Sequence, residues 1–533
     1  MTDVDRRSLL TAFAAASAFG LLPAAVTPAA AQAAAGTDAL KLADPKPFSF
    51  DILKQEAATL ASQPHKAPML PAHDIVQQLN YEEWGKITFN TDEALFADGP
   101  GEFPVTFFHL GMFFAKSVDM LVVKDGTSRE IVYDQSMFNI PADSPARKLP
   151  KGIGFAGFRV QEPRNGKLDW RKNDWVAFLG ASYFRAIGEL YQYGQSARGI
   201  AIDTAVADRP EEFPDFTKFY IETPTGDGDT LTVYALLDGP SVTGAYKFLM
   251  TRGVGVTIAV DHTLHLRKDV ERLGVAPLTT MYWYSETAKP TAIDWRPEVH
   301  DSDGLSLWTG AGERLWRALN NPDRTTASAF ADVSPKGFGT MQRDRIFDHY
   351  VDGVFYNRRP SVWVEPQGDW GHGAVQLIEI PTNDEIHDNV VAMWVPAAPA
   401  KAGNSYAFAY KQYWLAYEPF PPSLAKVVAT RLGRGGQPGQ PRPPGVRKFM
   451  IEFLGGPLEA LPFGVTPEHV VTTSRGTIGP YKITEAVADG VPGHWMTSFD
   501  LSVDGSDPVE LRLYLKSGDK TLSETWLFQY HPF

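Results

Sequence analysis

A mainly β fold, one large antiparallel sandwich followed by a smaller one, is what this sequence predicts, on three observations. Short runs of β-branched and aromatic residues (87–89, 216–222, 230–237, 254–260) are each bounded by Gly, Pro, Asp or Asn. No long stretch repeats apolar residues at helical spacing, and no internal repeat of fixed period appears. Near the C-terminus Val509, Leu511, Leu513 and Leu515 alternate with Glu510, Arg512, Tyr514 and Lys516, the period of a strand buried on one face.

The elements follow in order. Arg6 and Arg7 precede an alanine-rich apolar run and the small residues of 28–33, the pattern of a twin-arginine (Tat) signal peptide over 1–33, cut after Ala31 or Ala33. Export to the periplasm by that pathway is the expectation. Residues 51–62 place Ile52, Leu53, Glu56 and Leu60 at roughly helical spacing and predict one short helix. The first sandwich is expected over 39–396. The proline-broken stretch 395–404 is the expected linker. Strand-like runs recurring through 404–533 fit an immunoglobulin-like sandwich. Within it, 435–445 is rich in Gly and Pro, yet the strand-like 425–432 and 447–454 flank it, so it predicts a long hairpin loop. A formal charge of −13 without a basic tract argues against a nucleic-acid partner. The absence of cysteine removes disulfides, thiolate metal sites and cysteine nucleophiles.

Two acidic stretches carry the chemistry. Residues 294–308 (DWRPEVHDSDGLSLW) hold Asp294, Glu298, Asp301, Asp303 and His300 together with Trp295 and Trp308, and 379–389 (EIPTNDEIHDN) hold Asp384, Glu385 and Asp388. Carboxylates move protons once their surroundings shift their pKa values, and flat aromatic faces stack on sugar rings, so the pattern points to glycoside chemistry. Other motifs fail on context. Gly152, Gly154 and Gly157 satisfy G-x-G-x-x-G, but the chain continues as a strand where a dinucleotide site needs a helix. His262 and His265 fall on opposite faces of a strand, and the Asp301–Gly304 fragment lacks the remaining ligands of a calcium loop. No metal or cofactor is expected.

The runs FLGASYFRA (178–186), YGQSARGIAIDT (193–204), MYWYSE (281–286), DWRPEVHDSDGL (294–305), WTGAGERLWR (308–317) and EIPTNDEIHDN closely resemble the periplasmic glucan biosynthesis family, MdoG/OpgG and OpgD, from about residue 48 onward. The twin arginine favours its D branch. The resemblance implies a galactose-mutarotase-like β-sandwich ahead of the immunoglobulin-like one. It also implies action on the β-1,2-glucan backbone of osmoregulated periplasmic glucans, as an inverting hydrolase or a transglycosylase. By motif, Asp388 would be the general acid and Asp301 the base, acting at a distance through a substrate hydroxyl and water, with Asp303 an equally placed alternative. Trp283, Tyr284, Trp295 and Tyr356 are candidate sugar platforms, and Arg296, His300, Asp303, Asp384 and Glu385 candidate glucan contacts. A membrane glucan glucosyltransferase and a second copy of the chain are candidate partners. Ala318, where the family's W-R-P-L-N-N pattern expects proline, and the loop 347–359 depart from the family. Two other readings stand beside the enzyme: a non-catalytic glucan-binding scaffold, and a serine esterase using Ser196.

Overall fold

The computed structural model describes residues 40–533 apart from 227, 290 and 291. The signal peptide expected over 1–33 lies outside the described residues. Among the described residues, no helix is long and apolar enough to cross a membrane.

The chain is mainly β, as its patterning predicts, and is built on two large sheets of 16 and 10 strands. The first has a meander of long antiparallel strands, Thr230–Asp238, Val242–Arg252 and Val256–Leu266; the last alternates buried and more exposed residues, while Leu236 and Ala245 of the other two are covered by Leu53 and Ala57 of the short helix. The second runs from Thr326–Val333 through His372–Glu379, Val390–Pro396 and Leu273–Thr280 to Tyr183–Ala186, Asp174–Leu179 and Gly157–Gln161. Phenylalanines bridge the layers: Phe158 packs on Phe219 at 5.0 Å between ring centres, Phe178 on Phe248 at 5.1 Å, and Phe184 on Phe248 at 5.4 Å. Such edge-on contacts let large rings fill the space between sheets without voids. The expected short helix forms as Phe50–Ala61, capped by the Ser49 side chain, and buries Leu53 and Ala57. Gly157–Gln161 is a strand, so the glycine motif opens no helix.

The linker expectation needs correction. Residues 397–404 do not end the first sandwich. They carry the chain from one sheet to the other, where Ser405–Leu415 inserts between Val256–Leu266 and Ser361–Gln367. A local pattern cannot tell such a strand from the first strand of a new domain. Only after it do Lys426–Arg434, Val446–Leu454, His494–Ser502 and Thr477–Ala486 form a separate sheet. The first two pair as a hairpin around 435–445, as their matched patterns predict. Facing that sheet, Glu468–Thr473, Val509–Ser517 and Thr525–Tyr530 continue the large sheet itself, through a parallel pairing of Leu315 with Thr525. The C-terminal core (Phe449, Ile451, Phe499, Leu513, Trp526) therefore includes Trp316, Met341 and Trp363 from the first sandwich.

Candidate functional site

Two acidic loops meet at one end of the first sandwich. Asp301 directly follows Val299–His300, a short strand paired with Tyr282–Tyr284, and its N–H donates to Met281 O at 2.8 Å. Asp388 sits in 380–389, the loop joining the antiparallel strands His372–Glu379 and Val390–Pro396. Two side-chain amides hang that loop in place. Asn389 donates to Ile380 O at 2.9 Å and accepts from Tyr282 N–H at 2.8 Å. Asn321 donates to Thr382 O at 2.7 Å and Trp283 O at 3.0 Å and accepts from Thr382 N–H at 2.9 Å. An amide offers both a donor and an acceptor, so one side chain can clamp two backbone segments.

A guanidinium clamps the other side. Arg296 reaches Asp294 at 2.9 Å, Asp352 at 3.1 Å and Glu385 at 2.5 Å, tying 294–301, 347–359 and 380–389 together. Planar donors aimed at several carboxylates make strong charge-assisted bonds, and Arg296 holds the Asp294 carboxyl down at about 2. Tyr356 O–H donates to the same Glu385 carboxylate at 2.6 Å.

Both predicted catalytic carboxylates act electrostatically on one buried arginine. Arg185, on the fully buried strand Tyr183–Ala186, is pulled down to about 10 by burial; Asp388 is the first of the anions opposing that shift, and Asp301 is another. Asp301 also lies 3.3 Å from Arg359 Nε. Burial raises its carboxyl above the usual range, while Arg359, Arg185 and His300 pull the other way. Asp388 lines a cavity of about 460 Å³ together with His387, Asn389, Asn321, Asn383 and Asp323. Asp301 is not on that wall and is 6% exposed.

The sequence profile described as "Periplasmic glucan biosynthesis protein, MdoG" matches residues 48–530. The chain belongs to this family. It is 61% identical over 534 residues to "Glucans biosynthesis protein D 2" of Ralstonia nicotianae, covering 99% of this chain and 98% of that one. It is 46% identical to "Glucans biosynthesis protein D" of Stenotrophomonas maltophilia strain K279a and 44% identical to the protein of that name in Xanthomonas campestris pv. campestris strain ATCC 33913, each alignment covering 99% of this chain and 98% of the relative.

In this member of the MdoG family the candidate contact residues divide. Trp295 is 70% exposed and Trp283 half-buried, leaving indole surface open. Asp384 is exposed. Tyr284, Arg296 and His300, expected to contact glucan, are all buried, and Tyr284 O–H donates to Arg296 O at 3.0 Å. Tyr356 is buried and presents its hydroxyl to Glu385 rather than a ring face to solvent. Asp303 accepts the N–H groups of Arg343 and Asp344 at 3.0 and 2.8 Å, which makes it a turn brace and leaves Asp301 the better base candidate. Ser196 is fully buried in a strand, so the esterase reading loses its nucleophile. Glu298, Asp344 and His349 bring ligand-type atoms within 4.8 Å of one another. Each already has a partner: the Glu298 carboxylate faces His300 Nε2, and Asp344 faces His349 Nδ1.

Arg185, Arg359, Asn321, Asn389 and Gln342 carry the site without having been singled out from the sequence. Arg185 and Asn389 lie inside the motifs quoted for the family, and Arg359 ends the divergent loop 347–359. Their roles depend on partners far along the chain.

Proposed function

We propose that this protein acts in the periplasm on the β-1,2-glucan backbone of osmoregulated periplasmic glucans, as an inverting glycoside hydrolase or transglycosylase. The observation that carries the reading is the meeting of the loops of Asp388 and Asp301, 87 positions apart: Asn389, next to Asp388, accepts from Tyr282 N–H on the strand paired with Val299–His300, and Arg296 reaches Glu385. Asp388, on the cavity wall, protonates the departing glycosidic oxygen. Asp301 takes the proton of the attacking hydroxyl. Its near-complete enclosure suits a base reached through a substrate hydroxyl and water, which needs only a narrow opening. The attacking group is water in hydrolysis and a sugar hydroxyl in transglycosylation. Trp295 and Trp283 supply the flat faces on which glucose rings stack, and the Arg296 clamp keeps the three loops in register, so that the carboxylates stay oriented through the step. The names of the relatives support the pathway, and the assignment of acid and base rests on the family resemblance together with this geometry.

The test is product analysis after incubation with linear β-1,2-glucan. Wild type should produce new reducing ends or rings, and Asp388→Asn should lose ~10²-fold or more, the scale of a general acid's contribution. Asp301→Asn should be similarly impaired. Turnover near wild type in Asp388→Asn would refute the assignment. The enclosure of Asp301 favours a second reading, a glucan-binding scaffold beside a membrane glucosyltransferase; unchanged glucan with measurable binding to the purified protein would support it.

A further inference from the structure

His300 is fully buried, and both ring nitrogens face acceptors: Nε2 is 2.9 Å from a Glu298 carboxylate oxygen, and Nδ1 is 2.9 Å from Gln342 Oε1. The Gln342 amide cannot be reversed. Its nitrogen faces three oxygens, His300 O at 3.1 Å, Tyr350 Oη at 3.0 Å and Tyr356 O at 3.0 Å. Tyr350 spends its own proton on Asp344 O, so it accepts from Gln342. With oxygen fixed toward Nδ1 and a carboxylate at Nε2, each nitrogen needs a hydrogen, and an imidazole with two N–H groups is cationic. Tyr282 stacks on the ring and Tyr350 meets it edge-on, shutting out solvent.

Resting on the reading of Asp301 as base, we propose that His300 is a positioning residue, a permanent buried imidazolium whose charge keeps the adjacent Asp301 ionised and ready to accept a proton. Burial alone drives Asp301 toward its neutral form, which is useless as a base. Around Asp301 stand the cations Arg359, Arg185 and His300 and the anion Glu385; around His300 stand Glu298, Asp303, Asp344 and Glu286. Arg359 and Arg185 sit on other elements, whereas His300 is covalently next to Asp301, so its placement is fixed by the backbone. The pull of Glu298 is consistent with a ring held protonated up to about 9 despite its burial. Gln342 joins this charge to Tyr356, and Tyr356 in turn to Glu385 on the loop of Asp388.

The experiment is the pH dependence of turnover on linear β-1,2-glucan for wild type, His300→Gln and Glu298→Gln in the full chain. Losing the cation should move the acid limb of His300→Gln to higher pH by about one unit, roughly a tenfold deficit at the acid end. Glu298→Gln should move it the same way, because the imidazole then loses its anion. An unmoved limb in a folded His300→Gln overturns the proposal. Should that variant not fold, nitrogen NMR of wild-type histidines at pH 7.5, with the signals assigned by residue because His494 also faces two carboxylates, decides: a His300 ring protonated at both nitrogens supports the proposal, and a neutral His300 overturns it. Asp301→Asn separates the two levels. Full turnover in that variant removes the base reading itself, whereas an inactive Asp301→Asn beside an unmoved His300→Gln limb removes only the role of His300.

Discussion

The two halves of the candidate site are built from different materials. The loop of Asp388 hangs from neutral amides, Asn321 and Asn389, each bonded to backbone on two segments. The surroundings of Asp301 are ionic: Arg359, His300, Glu298 and, beyond Glu298, Glu286, with the charge of Arg185 shared between Asp301 and Asp388. Amide clamps hold their geometry at any pH. Ionic ones also hold a charge state, the property the proposed base Asp301 requires. The same residue type can serve two tasks because its neighbours differ.

The comparison can be broken most severely at Arg296, which joins the halves. Arg296→Met leaves Asp352 and Glu385 without their cation, Asp352 almost fully enclosed, and should cost about 3–5 kcal/mol in urea unfolding. Activity should fall with it as the three loops separate. A milder break is Asn389→Ala, which removes a bond to Ile380 O and leaves the Tyr282 N–H unmet, for about 1–3 kcal/mol. That cost should be the same at pH 5 and pH 8. A large pH dependence would mean the amide side is not neutral in its workings.

Glu286 sharpens the contrast from the ionic side. Its half-buried carboxyl accepts Thr430 N–H at 2.9 Å and is pushed up to about 8, first by burial and then by Glu298. A group whose folded pKa is raised gives stability that is complete below its unfolded value of 4.5 and lost as pH rises through about 8. Glu286→Gln should therefore match wild type in thermal unfolding near pH 4 and exceed it progressively toward pH 8, by on the order of 2 kcal/mol. A constant difference across that range would sink the ionic description.

Much of this was legible in the sequence. Alternation at 509–516, turn residues around 230–237 and the helical spacing of 51–62 fix local structure because burial on one face leaves a period behind. The family was legible through long motifs, and the proposed roles of Asp301 and Asp388 come with that resemblance. The boundary misplaced at 395–404 was not, since Ser405–Leu415 joins the large sheet by pairing with strands some fifty and 150 residues earlier, and nothing in its own residues records that. The burial of Tyr284, Arg296 and His300 was not legible for a related reason. Polar and aromatic side chains in an acidic stretch look alike whether they face a cavity or brace it from behind, and only the partners (Arg296 O, Glu385, Gln342) separate the cases.

The parallel pairing of Arg314–Ala318 with Thr525–Tyr530 has a practical corollary. Because the last strand of the chain is stitched into the same ladder as the front body, nicking the backbone within 416–424 would not liberate two independent units. The front piece would expose a raw ladder edge prone to self-association, and the rear piece would lack Trp316, Met341 and Trp363 from its own interior. The C-terminal sandwich is thus no swinging appendage but a fixed buttress, and protease resistance across that joint should track the melting of the whole molecule.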